Sequence, residues 1–356
     1  RMLVASALVA PDAASALRGA RSDRQTHVYV LGGGSNMDGR GNAGELSAGS
    51  LDRIRKASAR VQLVYKGGLP PGAVQDGFSD DEERIRFEGP LNYTAAPRFF
   101  AEKFQLTYSF GPELFFGTAL AEAGPEDRLE LIKHAFGGSR LVNASWSKEM
   151  PSSLMEAWAP GNWRERERNE RNRARPFPPT RIFDSASNTT KPGELYEGLI
   201  TEVLQRLHDD ATAVLSGVLW VHGELDGRDP GTAAAYARAL RDLVEAMRSD
   251  LGVHDLPFAM LMPWPEGANL QPVHAQFRSA LDALERDLPS FTLVRVPKTT
   301  PLTTHRPVLE VYKDRYESFE ASPFVHPDVL DHYTAAGQRV AGELMAEHAR
   351  VRWARR

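Results

Sequence analysis

"HVYVLGGGSNMDGRGN", residues His27–Asn42, runs a β-branched apolar segment into three glycines and then Ser35, followed by Asn36, Met37 and two more glycines. The run His27–Leu31 has the composition of a buried strand. Gly32, Gly33 and Gly34 can adopt backbone angles closed to other residues, so the chain can turn sharply where the strand ends. In an open α/β sheet ligands sit beyond the carboxyl ends of the strands, and the turn after the first strand faces that place. A Gly-rich turn there cradles phosphate, binds a dinucleotide or presents a nucleophile. No G-x-G-x-x-G register leads here into a helix with a later acid, and the lysine of a phosphate-binding loop is missing. What remains is a serine held out to solvent, beside backbone N–H groups that can meet a developing oxyanion.

Working outward, the same alternation repeats. Val61–Tyr65, Leu129–Phe136, Gly217–Gly223, Pro257–Pro263 and Phe291–Val296 read as further strands, with amphipathic helices between them. One helix follows Pro230 and carries Tyr236, Leu240, Leu243, Val244, Met247 and Leu251 on a single stripe. Leu195, Leu199, Ile200, Val203 and Leu207 make a second. A last helix is expected over residues 334–350, with Val340, Ala341, Leu344 and Met345 inward. This order predicts an α/β fold with a largely parallel sheet, as one domain over residues 23–356. Surface insertions are expected near 67–90, where "GGLPPG" and "SDDEER" read as a long loop, and near 160–192. The second holds "RERERNERNRAR" (Arg164–Arg175), either a solvated excursion or a basic rim for an anionic polymer.

Composition narrows the function. Of the 356 residues 42% are hydrophobic and 25% charged, enough apolar material for a sizeable core. A net charge of -4 gives no general pull toward nucleic acid. The absence of cysteine excludes disulfides, thiolate metal sites and a cysteine nucleophile. In residues 1–22 the apolar run Leu3–Ala10 precedes a small-residue "ASA" at Ala14–Ala16, which reads as the tail of a secretory signal or as a disordered Ala-rich start. The first reading predicts a periplasmic or secreted protein, the second a cytoplasmic one. No stretch reaches the length of a membrane span.

"VLGGGSNMDGRG" (Val30–Gly41) resembles the first block of the SGNH hydrolase superfamily, in the branch of acetylxylan and sialate O-acetylesterases. Three further segments are similar to later blocks, in the family's order. They are "SFGPELFFGTALAE" (Ser109–Glu122) with "LIKHAFGGSRL" (Leu131–Leu141) and Trp146, then "GVLWVHGELDG" (Gly217–Gly227), then "DHYTAAGQRVAGELMA" (Asp331–Ala346). The resemblance implies a three-layer α/β/α sandwich with a mainly parallel central sheet, SGNH- or flavodoxin-like. It also implies a serine esterase that removes O-acetyl groups from a carbohydrate through an acyl-enzyme, without cofactor or metal. Ser35 would be the nucleophile and His332 the base. Backbone N–H groups of Ser35 and Gly137, with Gly138 a close alternative, would hold the oxyanion.

The sequence also departs from that pattern. Where the branch carries glutamine, this chain has Gly34 before the serine and His222 before "GE"; a neutral His222 donating from one ring nitrogen could stand in. An aspartate is expected three residues before the base, but Val329 occupies that position. Asp328 is the preferred third member, with Glu224 a rival and a Ser-His dyad a further alternative. Asp331 is assigned with Thr334 to capping the last helix. His326 could pair with His332 on a metal only with an acid cluster that the sequence does not supply. The competing functions are a catalytically silent carbohydrate-binding protein on the same fold, and an esterase, lipase or thioesterase for a non-sugar ester.

Overall fold

The apolar runs form strands where their β-branched residues have helices to pack against on both faces. The computed structural model describes residues 25–68, 84–96, 106–124, 128–137, 139–142, 183–184, 189–190, 193–228, 230–263, 272–297 and 332–353. From the amino end come β1 (Thr26–Gly33), α1 (Ser35–Asp38), β2 (Gly41–Asn42), α2 (Ala48–Ser58), β3 (Val61–Gly68) and β4 (Arg84–Pro90). There follow β5 (Thr94–Ala95), β6 (Tyr108–Phe110), α3 (Glu113–Ala123), β7 (Arg128–Phe136), β8 (Phe183–Asp184) and β9 (Thr189–Thr190). The remainder is α4 (Glu194–Asp209), β10 (Ala213–Val221), α5 (Pro230–Asp250), β11 (Phe258–Leu261), α6 (Pro272–Asp287), β12 (Phe291–Val294) and α7 (Ala335–Trp353).

Seven strands make the central sheet, in the order β12-β11-β10-β1-β7-β3-β4, and all pairs are parallel except β3 with β4. Alternate residues of the inner strands feed opposite faces, the period-two rule of a strand. Val28, Val30 and Ile132 pack with Leu199 and Val203 of α4, Leu240 and Val244 of α5, and Leu281 of α6. Leu31, Leu63, Leu131 and Leu219 pack on the other face with Ile54 of α2, Phe115 and Phe116 of α3, and Met345 of α7. The result is the three-layer sandwich with a mainly parallel sheet. A small antiparallel ladder, β2-β6-β5, and the pair β8-β9 stand apart from it.

One expectation needs correction. Residues 67–90 are not wholly a loop: β3 continues to Gly68, and β4 pairs with it antiparallel from Gln62↔Pro90 to Gly68↔Arg84. β4 is an edge strand that buries Ile85 and half-buries Phe87 while Arg86 and Glu88 point to solvent, so charges interrupt the apolar signal while the period of two persists. Residues 1–22 and the Arg-rich 164–175 lie outside the described residues. Among the described residues no helix is long and apolar enough to cross a membrane.

The sheet order reverses at β1, which lies between β10 and β7, and Gly33 pairs with both Val221 and Ala135. The segments that leave β1, β7 and β10 therefore gather at one end of the sheet, the place where ligands bind in such folds. Gly33 has φ 149°, and a Cβ there would stand 2.0 Å from the Val221 carbonyl oxygen, so only glycine fits this close approach.

Candidate active site

Ser35 opens α1, a single turn closed by Asp38 N–H to the Gly34 carbonyl (2.8 Å) and Gly39 N–H to the Ser35 carbonyl (2.9 Å). Gly39, at φ 102°, ends it where any Cβ would lie 2.3 Å from the Phe110 carbonyl carbon. The Ser35 hydroxyl stands 2.9 Å from Nε2 of His332, a residue 297 positions away. His332 is delivered by the start of α7, where Thr334 Oγ1 accepts the Gly337 N–H at 3.1 Å as a helix cap.

The residues following these two are tied together as well. Asn36, buried, accepts the Tyr333 N–H on Oδ1 (2.9 Å) and donates from Nδ2 to Glu224 Oε1 (2.6 Å). One amide thus joins the serine turn, the histidine segment and the loop after β10. Sequence reasoning placed no role on Asn36, although it stands beside the serine in the quoted stretch. Glu224, weighed as a rival acid, is the anchor of this clamp. Asp328, Asp331, His326 and Gly138 lie outside the described residues.

Gly137 is corrected by its hydrogen bond. Its N–H donates to the Gly68 carbonyl at 2.8 Å. The β3-β7 ladder runs to Gly68↔Phe136, and the next N–H along completes it rather than facing Ser35.

Two buried polar clusters flank the serine turn. On the β3-β7 side, Asp38 accepts from the Tyr65 hydroxyl and, at 2.9 Å, from the Gly68 N–H, and it pairs with Arg40. Lys133 donates to the Asp38 carbonyl (2.9 Å), pairs with Glu113 (2.7 Å) and sits 3.9 Å over the Tyr65 ring. Burial pulls the Lys133 ammonium below its ordinary range, and the Glu113 and Asp38 carboxylates resist the shift.

On the β10 side, Trp220 Nε1 donates to the Tyr236 hydroxyl (3.2 Å), and that oxygen lies 3.1 Å from His222 Nδ1. His222 is 1% exposed, and burial brings its pKa down to about 3; the Ser139 carbonyl opposes this and the Arg140 charge adds to it. Its Cδ2 edge lies 3.5 Å from where a Cβ on Gly34 would stand. Asp226, fully buried, is pushed up to about 7 by desolvation, against the Leu141 N–H, the Arg140 charge and the Val142 N–H. It accepts those two N–H groups at 3.0 and 3.2 Å, which fixes the segment after β7. The sequence reading took Tyr236 only as a core residue of its helix stripe and placed no role on Asp226, though Asp226 belongs to the quoted "GVLWVHGELDG". Among the described residues no three His, Asp or Glu side chains converge as a metal site.

The family model described as "SASA: Carbohydrate esterase, sialic acid-specific acetylesterase" matches residues 25–300. No curated protein matches the chain. Among solved structures, NanS is similar with a TM-score of 0.50 and 17% identity, covering 93% of this chain and 98% of that one. A protein from Arabidopsis thaliana has a TM-score of 0.49 and 16% identity over 92% of this chain and 99% of its own. XAC1771, a carbohydrate acetylesterase from Xanthomonas citri, has 0.46 and 16% over 92% of this chain and 57% of its own. At these identities the likeness to NanS is one of fold.

Proposed function

Because this chain belongs to the family of sialic acid-specific acetylesterases and is thereby a carboxylic ester hydrolase, we propose that Ser35 is its nucleophile and His332 its base. The reading takes residues 23–356 as one esterase domain acting on O-acetyl groups of a sialic acid or another O-acetylated sugar. The observation that carries it is the 2.9 Å approach of His332 Nε2 to the Ser35 hydroxyl, from opposite ends of the chain. A serine hydroxyl is unreactive at neutral pH, and an imidazole at hydrogen-bond distance is the group that can take its proton.

Ser35 Oγ attacks the acetyl carbonyl while its proton passes to His332 Nε2. The oxyanion forms beside the Ser35 N–H, which as the first amide of α1 has no partner within that turn. Collapse returns the proton to the sugar oxygen and leaves acetyl-Ser35. Water, deprotonated by His332, then releases acetate and restores the serine. Asn36 holds the distance between the two groups by bridging Tyr333 and Glu224. Asp328 remains our proposed partner for the far side of the imidazole. The reading includes a periplasmic or secreted location for the enzyme.

Acetate release from O-acetylated sialic acid and from acetylated xylan tests this. Ser35→Ala is expected to lower kcat/KM at least about a thousandfold. Undiminished turnover in that variant would sink the assignment, and a wild type that binds sugar without turnover would make the chain a binding protein.

A further inference from the structure

We propose that Lys133 is a positioning residue for the nucleophile: its ammonium grips the Asp38 carbonyl and, through that one peptide group, fixes Ser35. The proposal rests on Ser35 being the nucleophile.

The path between the two residues is short. Lys133 Nζ donates to the Asp38 carbonyl oxygen at 2.9 Å. That carbonyl shares its peptide with the Gly39 N–H, which donates to the Ser35 carbonyl at 2.9 Å. A trans peptide is planar with its C=O and N–H pointing in opposite directions, so holding the oxygen aims the hydrogen. The two bonds form one chain, and each polarises the other. α1 is a single turn, and its last carbonyl has no partner inside it. Asp38 is 1% exposed, so a side chain must supply what water cannot. The Tyr65 hydroxyl has one proton for two Asp38 oxygens, the carbonyl at 2.9 Å and the nearer, charged Oδ1, so the carbonyl receives at most a share of it. Lys133 is the donor on which this peptide depends.

The platform beneath it is fixed on every side. Lys133 lies on β7 opposite Leu31 of β1 and Tyr65 of β3, and it is fully buried. Glu113 Oε2 holds the ammonium at 2.7 Å, while Glu113 Oε1 accepts the Gly111 N–H at 2.9 Å. A Cβ on Gly111 would stand 2.5 Å from both the Met37 carbonyl oxygen and Glu113 Oε2, and 3.1 Å from Lys133 Nζ. The segment that starts α3 is therefore pressed against the serine turn with no room for a side chain. Stability alone gives no reason for this arrangement. Lysine is among the residues least often buried, and apolar residues of similar volume often replace a buried ion pair without loss. What an apolar pair lacks is a donor to Asp38.

The test separates fold stability from nucleophile geometry. Lys133→Met leaves Glu113 unpaired, whereas Lys133→Met with Glu113→Gln removes both charges and keeps an oxygen for the Gly111 N–H. Leu281→Ala, in the core on the opposite face of the sheet, is the control for destabilisation alone. Each full-length variant is assayed at a temperature where circular dichroism shows it folded. The readouts are kcat and KM for an O-acetylated sugar, and the rate at which a fluorophosphonate labels Ser35, followed by mass spectrometry. Both Lys133 variants are expected to lose about tenfold to a hundredfold in kcat and in labelling rate with KM held within about twofold, the cost of displacing a reacting group by about 1 Å. Leu281→Ala, remote from the turn, is expected to keep all three within about twofold. Wild-type kcat and labelling in the double variant, or an equal loss in Leu281→Ala, overturns the proposal. Failure of the underlying reading is separate: the probe would leave Ser35 of the wild type unlabelled, and Ser35→Ala would keep its turnover.

Discussion

The two buried clusters beside the serine turn solve one problem in opposite ways. On the β3-β7 side Asp38, Arg40, Lys133 and Glu113 are packed as ion pairs, with the Tyr65 hydroxyl and backbone N–H groups closing the remaining valences. On the β10 side Trp220, Tyr236, His222 and Asp226 are equally buried, but burial pushes the imidazole toward its neutral form and raises Asp226 into the neutral range. Charges removed from water must be paired or suppressed. The paired cluster holds the backbone of the serine turn through the Asp38 carbonyl, which accepts from Lys133 and Tyr65.

If charge pairing is what holds the first cluster, removing its lysine has the largest effect. Lys133→Met is expected to lower the unfolding free energy by about 3–5 kcal/mol in urea titration, because Glu113 is left buried without its cation. A loss below about 1 kcal/mol would erase the contrast between the clusters. Next, Tyr65→Phe removes a donor to a buried carboxylate, and the same titration is expected to record a loss of about 1.5–3 kcal/mol.

The second cluster is sharpened by pH. The His222 pKa falls from 6.5 to about 3 on folding, so between those values the unfolded chain binds a proton that the folded one refuses. The His222 contribution to stability therefore drops as pH falls through that window. Asp226, raised from 3.8 to about 7, has the opposite slope: its contribution is present below its unfolded pKa and is lost as pH rises toward 7. The two slopes offset each other. In His222→Gln the Asp226 slope stands alone, so stability relative to wild type should shift in the variant's favour by on the order of 1 kcal/mol per pH unit on acidification. Urea titrations at about pH 6, 5 and 4 check the sign, and a difference independent of pH would mean that His222 titrates normally. The smallest effect is expected outside both clusters. Arg53→Ala breaks contacts to Glu122 (2.8 Å) and Glu343 (3.1 Å) that are partly exposed, and its thermal or urea stability should change by only about 0.2–1 kcal/mol.

The sheet was largely legible because its inner strands are β-branched and apolar, and the helices between them carry stripes at the helical period. β4 was not, because Arg86 and Glu88 alternate with Ile85 and Phe87, and an edge strand with one wet face reads as a charged loop. Ser35 and His332 could be named from the resemblance of their segments, and folding brings them within 2.9 Å of each other. Gly137 illustrates the limit of that method. A glycine in the right turn gives no sign of where its N–H points, and the ladder with β3 directs it to Gly68.

By itself the sequence determined the alternation of strands and helices, the glycine turn that only glycine can make, and the residue types able to perform acyl transfer, since these depend on local periodicity and on chemistry carried within each side chain. Only the tertiary structure decided that Asn36 bridges Tyr333 and Glu224, that Lys133 is neutralised by Glu113, and that the Tyr236 hydroxyl and His222 Nδ1 share a hydrogen bond. Hydrogen bonds and charge pairs depend on distances of about 3 Å between groups remote along the chain. No local pattern of residues encodes such distances; close packing of the two faces of the sheet sets them.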